Sequence, residues 1–120
     1  MTFTYYTNKE GLEAFFKPWQ VIVIKYLEKN PEWANTRQIT DHVIETKIIS
    51  RASIIQFLTA MKKTEILEYS EKTGKGGHQG LYRLKYKEKA LRETLTKHII
   101  ETLLKNFPQE TKRAIKKIQI

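Results

Sequence analysis

Residues 50–86 read SRASIIQFLTAMKKTEILEYSEKTGKGGHQGLYRLKY, and this stretch decides the fold. Ser50 is a residue type that caps helices. Apolar side chains then recur at three- and four-residue spacing, which predicts one buried helix face; they are Ile54, Phe57, Leu58 and Met61. Two runs of strictly alternating residues follow, around Leu67–Ser70 and Tyr82–Tyr86, and this period predicts two antiparallel strands. The stretch is therefore predicted to form a helix followed at once by a β-hairpin.

The loop of this hairpin is rich in glycine and in basic residues. Residues 73–80 hold four of the five glycines of the chain. A dinucleotide-binding loop would need glycine at position 79, where Gln79 stands, and it would lead into a helix rather than a strand. We therefore expect no nucleotide site here but a flexible cationic tip. The basic residues of this tip and of the flanking strands, which are candidate contacts for an anionic partner, are Lys72, Lys75, His78 and Arg83.

Helical patterns flank this stretch on both sides. A broad apolar stripe predicts a core helix from about Leu12 to Lys29, in which Pro18 marks either a kink or the true start. Asn35 and Gln38 match a capping box for a short second helix. After the hairpin, an amphipathic pattern from about Glu88 stops at Pro108, and residues 109–118 form a short last helix.

In this order the elements indicate a mainly α fold with a small β-hairpin (α+β). It is a winged helix-turn-helix, in which the wing is the hairpin of residues 67–86. We expect residues 1–86 to form the DNA-binding domain, with residues 1–10 as an arm or short edge strand. Residues 87–120 would be a C-terminal dimerisation segment, because apolar helices appended to a complete domain usually pack on a second copy; folding back on the chain's own domain is the alternative. The residues expected at that contact are Leu91, Leu95, Ile99, Leu103 and Phe107.

Composition favours a polyanionic partner. The 120 residues carry a net charge of +9, and residues 61–120 hold 15 Lys and Arg against seven acidic residues. Such an excess attracts nucleic acid through its phosphates. The chain has no cysteine, which excludes disulfides and thiolate metal sites. It shows no membrane-spanning run and no signal-peptide pattern, so we expect a cytoplasmic protein.

The predicted helix after Ser50 presents a small and polar outer face, as a helix that enters a DNA groove requires. At 100° per residue its outward positions oppose the apolar ones. An ordinary solvated helix face would look the same, and the neighbouring wing favours the groove. The candidate recognition-helix residues are Ser50, Arg51, Ala52, Ser53, Gln56, Thr59 and Lys63.

With these elements placed, the chain resembles the penicillinase-repressor (BlaI/MecI) family of winged-helix repressors. The resemblance rests on Trp19 within KPWQVIVIKYLEKN, on SRASIIQFLTAM, and on the order of wing and C-terminal helices. It implies a homodimeric repressor on a two-fold symmetric operator, with base reading at Ala52, Ser53 and Gln56. MarR-like regulators share the same parts. Some family members are inactivated by cleavage at an Asn-Phe bond, and residues 106–107 (NF) lie in a comparable place, so an inducer or a protease is left open as a further partner.

No catalytic, metal or cofactor constellation competes with this interpretation. His42, His78 and His98 are far apart in sequence and lack acidic neighbours at ligand spacing. We therefore expect no enzyme, no metal and no cofactor. Two alternatives stay open: a winged-helix module that binds protein, and a non-specific protein that coats nucleic acid.

Overall fold

The chain has an α+β fold in which helices surround a small antiparallel sheet. A computed structural model describes residues 3–30, 32–74 and 77–119. A short 3₁₀ helix at Gly11–Ala14 precedes the other elements. These are α1 (Pro18–Lys29), β1 (Ala34–Asn35), α2 (Thr36–Ile44), α3 (Arg51–Met61), β2 (Leu67–Gly74), β3 (Gly77–Leu84), α4 (Glu88–Asn106) and α5 (Pro108–Ile118). This is the winged helix-turn-helix arrangement that the sequence predicts.

Both predicted helix caps of the helix-turn-helix are formed. The Asn35 side chain accepts from the Gln38 amide at 2.7 Å, and the Gln38 side chain accepts from the Asn35 amide at 2.8 Å. At α3 the Ser50 Oγ accepts from the Ser53 amide at 3.1 Å. These bonds satisfy amide groups that have no partner inside the helix, and so they fix where α2 and α3 begin.

The first helix begins later than the stripe of apolar residues suggests. Residues 11–14 form the separate 3₁₀ helix, and α1 begins at Pro18, with Lys17 extended before it. Proline suits the first helical position because its missing amide would have no partner there. The Gln20 side chain accepts from the Lys17 amide at 2.9 Å and closes the turn. The prediction of a helix from Leu12 is therefore wrong, and Pro18 is a start rather than a kink.

The sheet has the strand order β1-β3-β2. Strands β2 and β3 stay paired from Leu67–Leu84 as far as Gly74–Gly77. The prediction that residues 73–80 form a flexible loop is therefore wrong, because most of these residues belong to the paired strands. Lys75, one of the candidate contacts, lies outside the described residues. Strand β1, which the sequence analysis missed, pairs Asn35 with Leu81.

The core lies between the helices and the inner face of the sheet. Leu91 and Leu95 of α4 are fully buried in it, beside the inward side chains of α1, α2 and α3. The prediction that these two leucines contact a second copy is therefore wrong, because their own domain covers them. Within the arm, residues 3–10 contain no strand, and the Phe3 ring packs at 6.1 Å from Phe16.

Candidate nucleic-acid interface

Helix α3 presents an exposed outer surface made of small, polar and apolar residues. Its exposed residues are Arg51, Ala52, Ile55, Gln56, Thr59, Ala60 and, just beyond its end, Lys62 and Lys63. Ile55 is 41% exposed and is not among the candidate recognition residues predicted from the sequence. The helical period contains the signal for it, since it lies three residues after Ala52 and four before Thr59. The surface therefore offers apolar as well as polar contacts.

Two of the predicted recognition residues already have a role inside the helix. Ser53 is half-buried, and its Oγ lies 2.8 Å from the Ser50 Oγ, which also caps α3. Ser50 and Ser53 therefore fix the start of α3. The predicted residues that remain exposed are Arg51, Ala52, Gln56 and Thr59 on α3 and Lys63 just beyond it.

The opposite face of α3 is held firmly by apolar contacts. Ile54 and Leu58 are buried, and Phe57 packs edge-to-face on Trp19 of α1 with ring centroids 5.5 Å apart. An aromatic pair of this geometry adds about 0.5–1.5 kcal/mol beyond its burial. These apolar contacts therefore hold α3 in place and fix the position of its outer surface.

The wing brings basic side chains to its outer end. Lys72 and His78 are exposed on β2 and β3, near the point where the hairpin turns. The His78 Nδ1 lies 3.9 Å from the Glu71 Oε2, and both side chains are more than half exposed. Such a pair is weak in water, so His78 remains accessible to another anion.

The Arg83 side chain makes its contacts within the sheet. Its Nη2 donates to the Glu68 Oε2 at 3.1 Å, and its guanidinium lies 4.3 Å from the Trp33 ring centroid. This stacking joins β3 to the residue that precedes β1. Arg83 therefore stabilises the base of the wing, and its charge is already paired.

A cation–π contact joins the C-terminal end of α3 to the wing. Lys62 Nζ lies 4.2 Å above the Tyr69 ring, and the Tyr69 hydroxyl donates to Glu71 at 3.0 Å. That hydrogen bond raises the pKa of Tyr69. At Gly80, across from this ring, an added Cβ would lie 3.0 Å from the Tyr69 Cε1. The absence of a side chain at Gly80 therefore leaves room for the Tyr69 ring to pack close to β3.

The C-terminal helices carry an exposed apolar surface. Leu103 and Phe107 are 44% and 56% exposed, and Ile99 is half-buried beside them. Ile115 and Ile118 of α5 are also exposed. The molecule is elongated, with principal extents of 58 × 28 × 23 Å.

Neither metal sites nor membrane spans are found in the ranges given above. Among the described residues, no group of three or more His, Cys, Asp or Glu is placed to hold a metal ion. None of the helices described there is long and apolar enough to cross a membrane.

Comparisons with known proteins concern the fold. No protein-family model matches the chain, and no curated protein matches it significantly. The chain is similar to the solved structure of a possible transcriptional regulator from Methanosarcina mazei Go1, with a TM-score of 0.56 over 99% of this chain and 98% of that one. The two sequences are 13% identical. The likeness therefore shows that the two chains share a fold along their whole length.

Proposed function

We propose that this protein is a transcriptional regulator that binds double-stranded DNA, with α3 in the major groove and the wing on the flanking backbone. The observation that carries the proposal is the exposed outer surface of α3, which carries polar, small and apolar side chains and lies next to a hairpin that bears Lys72 and His78. The major groove admits an α helix and shows a distinct pattern for each base pair. The description of the fold neighbour as a possible transcriptional regulator supports the same role.

In this proposal the exposed side chains of α3 divide between reading bases and holding phosphates. Gln56 can make a bidentate contact with adenine, while Ala52 and Ile55 offer apolar contacts to a thymine methyl group. Arg51 and Lys63 at the two ends of α3, with Lys72, Lys75 and His78 of the wing, would hold phosphates. Phosphate contacts position the protein without specifying sequence.

We further propose that the protein acts as a homodimeric repressor, as the BlaI/MecI resemblance implies, and that it works in the cytoplasm. The exposed Leu103 and Phe107, with Ile99, support a contact through residues 87–120. Two-fold symmetry would then place two copies of α3 about 34 Å apart, one turn of the duplex. Sedimentation of Phe107→Lys would test this contact, since a charge at its centre should produce a monomer.

Selection from a random duplex library followed by fluorescence anisotropy tests the DNA proposal. We expect one enriched sequence, bound on the order of 10³-fold more tightly than its shuffled version near physiological salt. Enrichment of no sequence, with binding that fades steeply in salt, would instead identify a coating protein. Absence of binding to any duplex would leave the protein-interaction module.

Two variants with matched controls test which side chains of α3 read bases and which hold phosphates. Gln56→Ala should lower discrimination at one base step by about 1–3 kcal/mol, whereas Arg51→Ala should weaken all duplexes alike and reduce the salt slope by about one. Gln109→Ala and Arg113→Ala, both on exposed positions of α5, are the controls and should change neither quantity. Equal effects of Gln56→Ala on selected and shuffled DNA would contradict the assignment.

A further inference from the structure

A cavity of about 360 Å³ lies between the arm and α4, away from α3 and the wing. Three separate segments build it. Its walls include Tyr5 and Lys9 from the arm, Leu12 and Phe15 beside the 3₁₀ helix, and Leu95 and Ile99 from α4. The volume is at the lower end of the range for small-molecule sites, and it suits a ligand of one or two rings.

The inner end of the cavity is apolar and fixed. Leu12 and Leu95 belong to the core and are 7% and 0% exposed. Phe15 and Tyr5 stand at the side with their ring centroids 5.0 Å apart. Burying an aromatic ring against these side chains removes apolar surface from water, which favours binding.

The polar part of the lining is cationic. Lys9 and Arg92 line the cavity, and its lining within the described residues contains no carboxylate. A larger depression nearby shares Arg92, Thr96 and Ile100 with this cavity, but it is more open, is lined by α4 alone and includes Glu88, Glu93 and Glu101. The cations on the lining of the cavity beside the arm therefore favour an anion over a neutral ligand.

Arg92 is held in place and still has donors for a ligand. Its Nη1 donates to the Glu28 Oε2 at 2.9 Å and to the Glu88 carbonyl at 2.8 Å. A guanidinium has five N–H donors, so Nε and Nη2 remain able to donate. Their planar arrangement matches the two oxygens of a carboxylate.

We propose that this cavity is a binding site for a small aromatic carboxylate, with the ring against Leu12, Phe15 and Leu95 and the carboxylate facing Lys9 and Arg92. The inference does not depend on DNA binding. A second copy of the chain is the competing occupant, since Ile99 also belongs to the proposed dimer contact.

Calorimetric titration of the full chain with 2-naphthoate tests the site directly. The neutral 2-naphthalenemethanol is the control ligand, because it keeps the rings and removes the charge. We expect 2-naphthoate to bind with a Kd below about 1 mM, a modest value for its size. The neutral analogue should bind roughly tenfold more weakly, because charge-assisted hydrogen bonds are lost.

Matched variants locate the binding on the chain. Thr96→Trp should fill the cavity and abolish binding, whereas Thr102→Trp should bind like the wild type. Both threonines are exposed on α4, and each bonds the carbonyl four residues earlier, but Thr96 alone of the two lines the cavity. Lys9→Gln should weaken binding roughly fivefold, the size of an exposed ion pair, and Lys25→Gln on the exposed side of α1 should not.

Three results would overturn the proposal. The first is no heat of binding for wild type at millimolar 2-naphthoate. The second is equal binding by Thr96→Trp and Thr102→Trp, which would place the ligand elsewhere. The third is equal binding of the charged and neutral ligands. If Thr96→Trp does not fold, as circular dichroism would reveal, Lys9→Gln and the neutral ligand still decide the question.

Discussion

Replacement of Glu28 is predicted to loosen the connection between α1 and α4. The Glu28 side chain is 8% exposed, and its Oε2 accepts both from the Glu88 amide and from Arg92 Nη1, the latter at 2.9 Å. Glu88 is the first residue of α4 and has a φ of 51°, in the left-handed region. The carboxylate therefore holds a helix start that its own backbone does not favour.

The size of the effect follows from these two bonds. A hydrogen bond to a charged group contributes about 1.5–3 kcal/mol. The Arg92 side chain is 46% exposed, so water screens that ion pair and reduces it to at most about 1 kcal/mol. We therefore expect Glu28→Ala to lower the free energy of unfolding by about 2–3 kcal/mol, and Glu28→Gln, which keeps an acceptor, to lower it by about 1 kcal/mol.

Urea unfolding at one fixed protein concentration measures these losses, because dimerisation would make stability depend on concentration. Glu93→Ala is the control: its pair with Lys89 spans 3.9 Å between side chains that are 67% and 90% exposed, so its loss should stay within about 0.5 kcal/mol. A double-mutant cycle with Arg92→Ala isolates the ion pair. If Glu28→Ala costs no more than Glu93→Ala, the carboxylate does not hold α4 and the reasoning fails.

Three further changes test other features of the structure. Gly80→Ala should destabilise the protein by about 1–2 kcal/mol in thermal unfolding, because the new Cβ would lie 3.0 Å from the Tyr69 ring; an equal loss when Tyr69 is also alanine would contradict this cause. Asn35→Ala should cost about 1 kcal/mol in urea unfolding through the lost cap on the Gln38 amide, and an unchanged midpoint would count against it. Burial raises the pKa of Tyr82 above 10.0, so its contribution to the free energy of unfolding is complete below pH 10 and is lost as pH rises through the folded-state pKa. Tyr82→Phe should remove that alkaline loss and one of the tyrosinate absorbance steps above pH 10, and an unaltered alkaline profile would exclude Tyr82 as its source.

Local signals account for the parts of the fold that the sequence predicts well. The caps at Asn35 and Ser50 need only residues three positions away, and the alternation around Leu67 and Tyr82 extends over several residues. Strand β1 has two residues, too few to show a period. Its pairing with β3 depends on residues that lie more than 40 positions further along the chain.

Long-range contacts explain what the sequence could not predict. The apolar period of α4 indicates that Leu91 and Leu95 are buried, but it does not say whether their own domain or a second copy covers them. In the sequence, Arg83 cannot be distinguished from the other basic residues of the wing. Only the structure shows that its side chain contacts Trp33 and Glu68. Glu28 and Arg92 are 64 residues apart, and nothing in their local sequences connects them.

Asn35 belongs to two elements at once, and this has a mechanical consequence. Its backbone pairs with Leu81 in the sheet, and its side chain begins α2. The inner end of the hairpin is therefore connected through Asn35 to the first turn of α2. Because β3 also contacts α2 directly, tilting the hairpin would displace the start of the helix next to α3, and the wing and α3 would change their angles together.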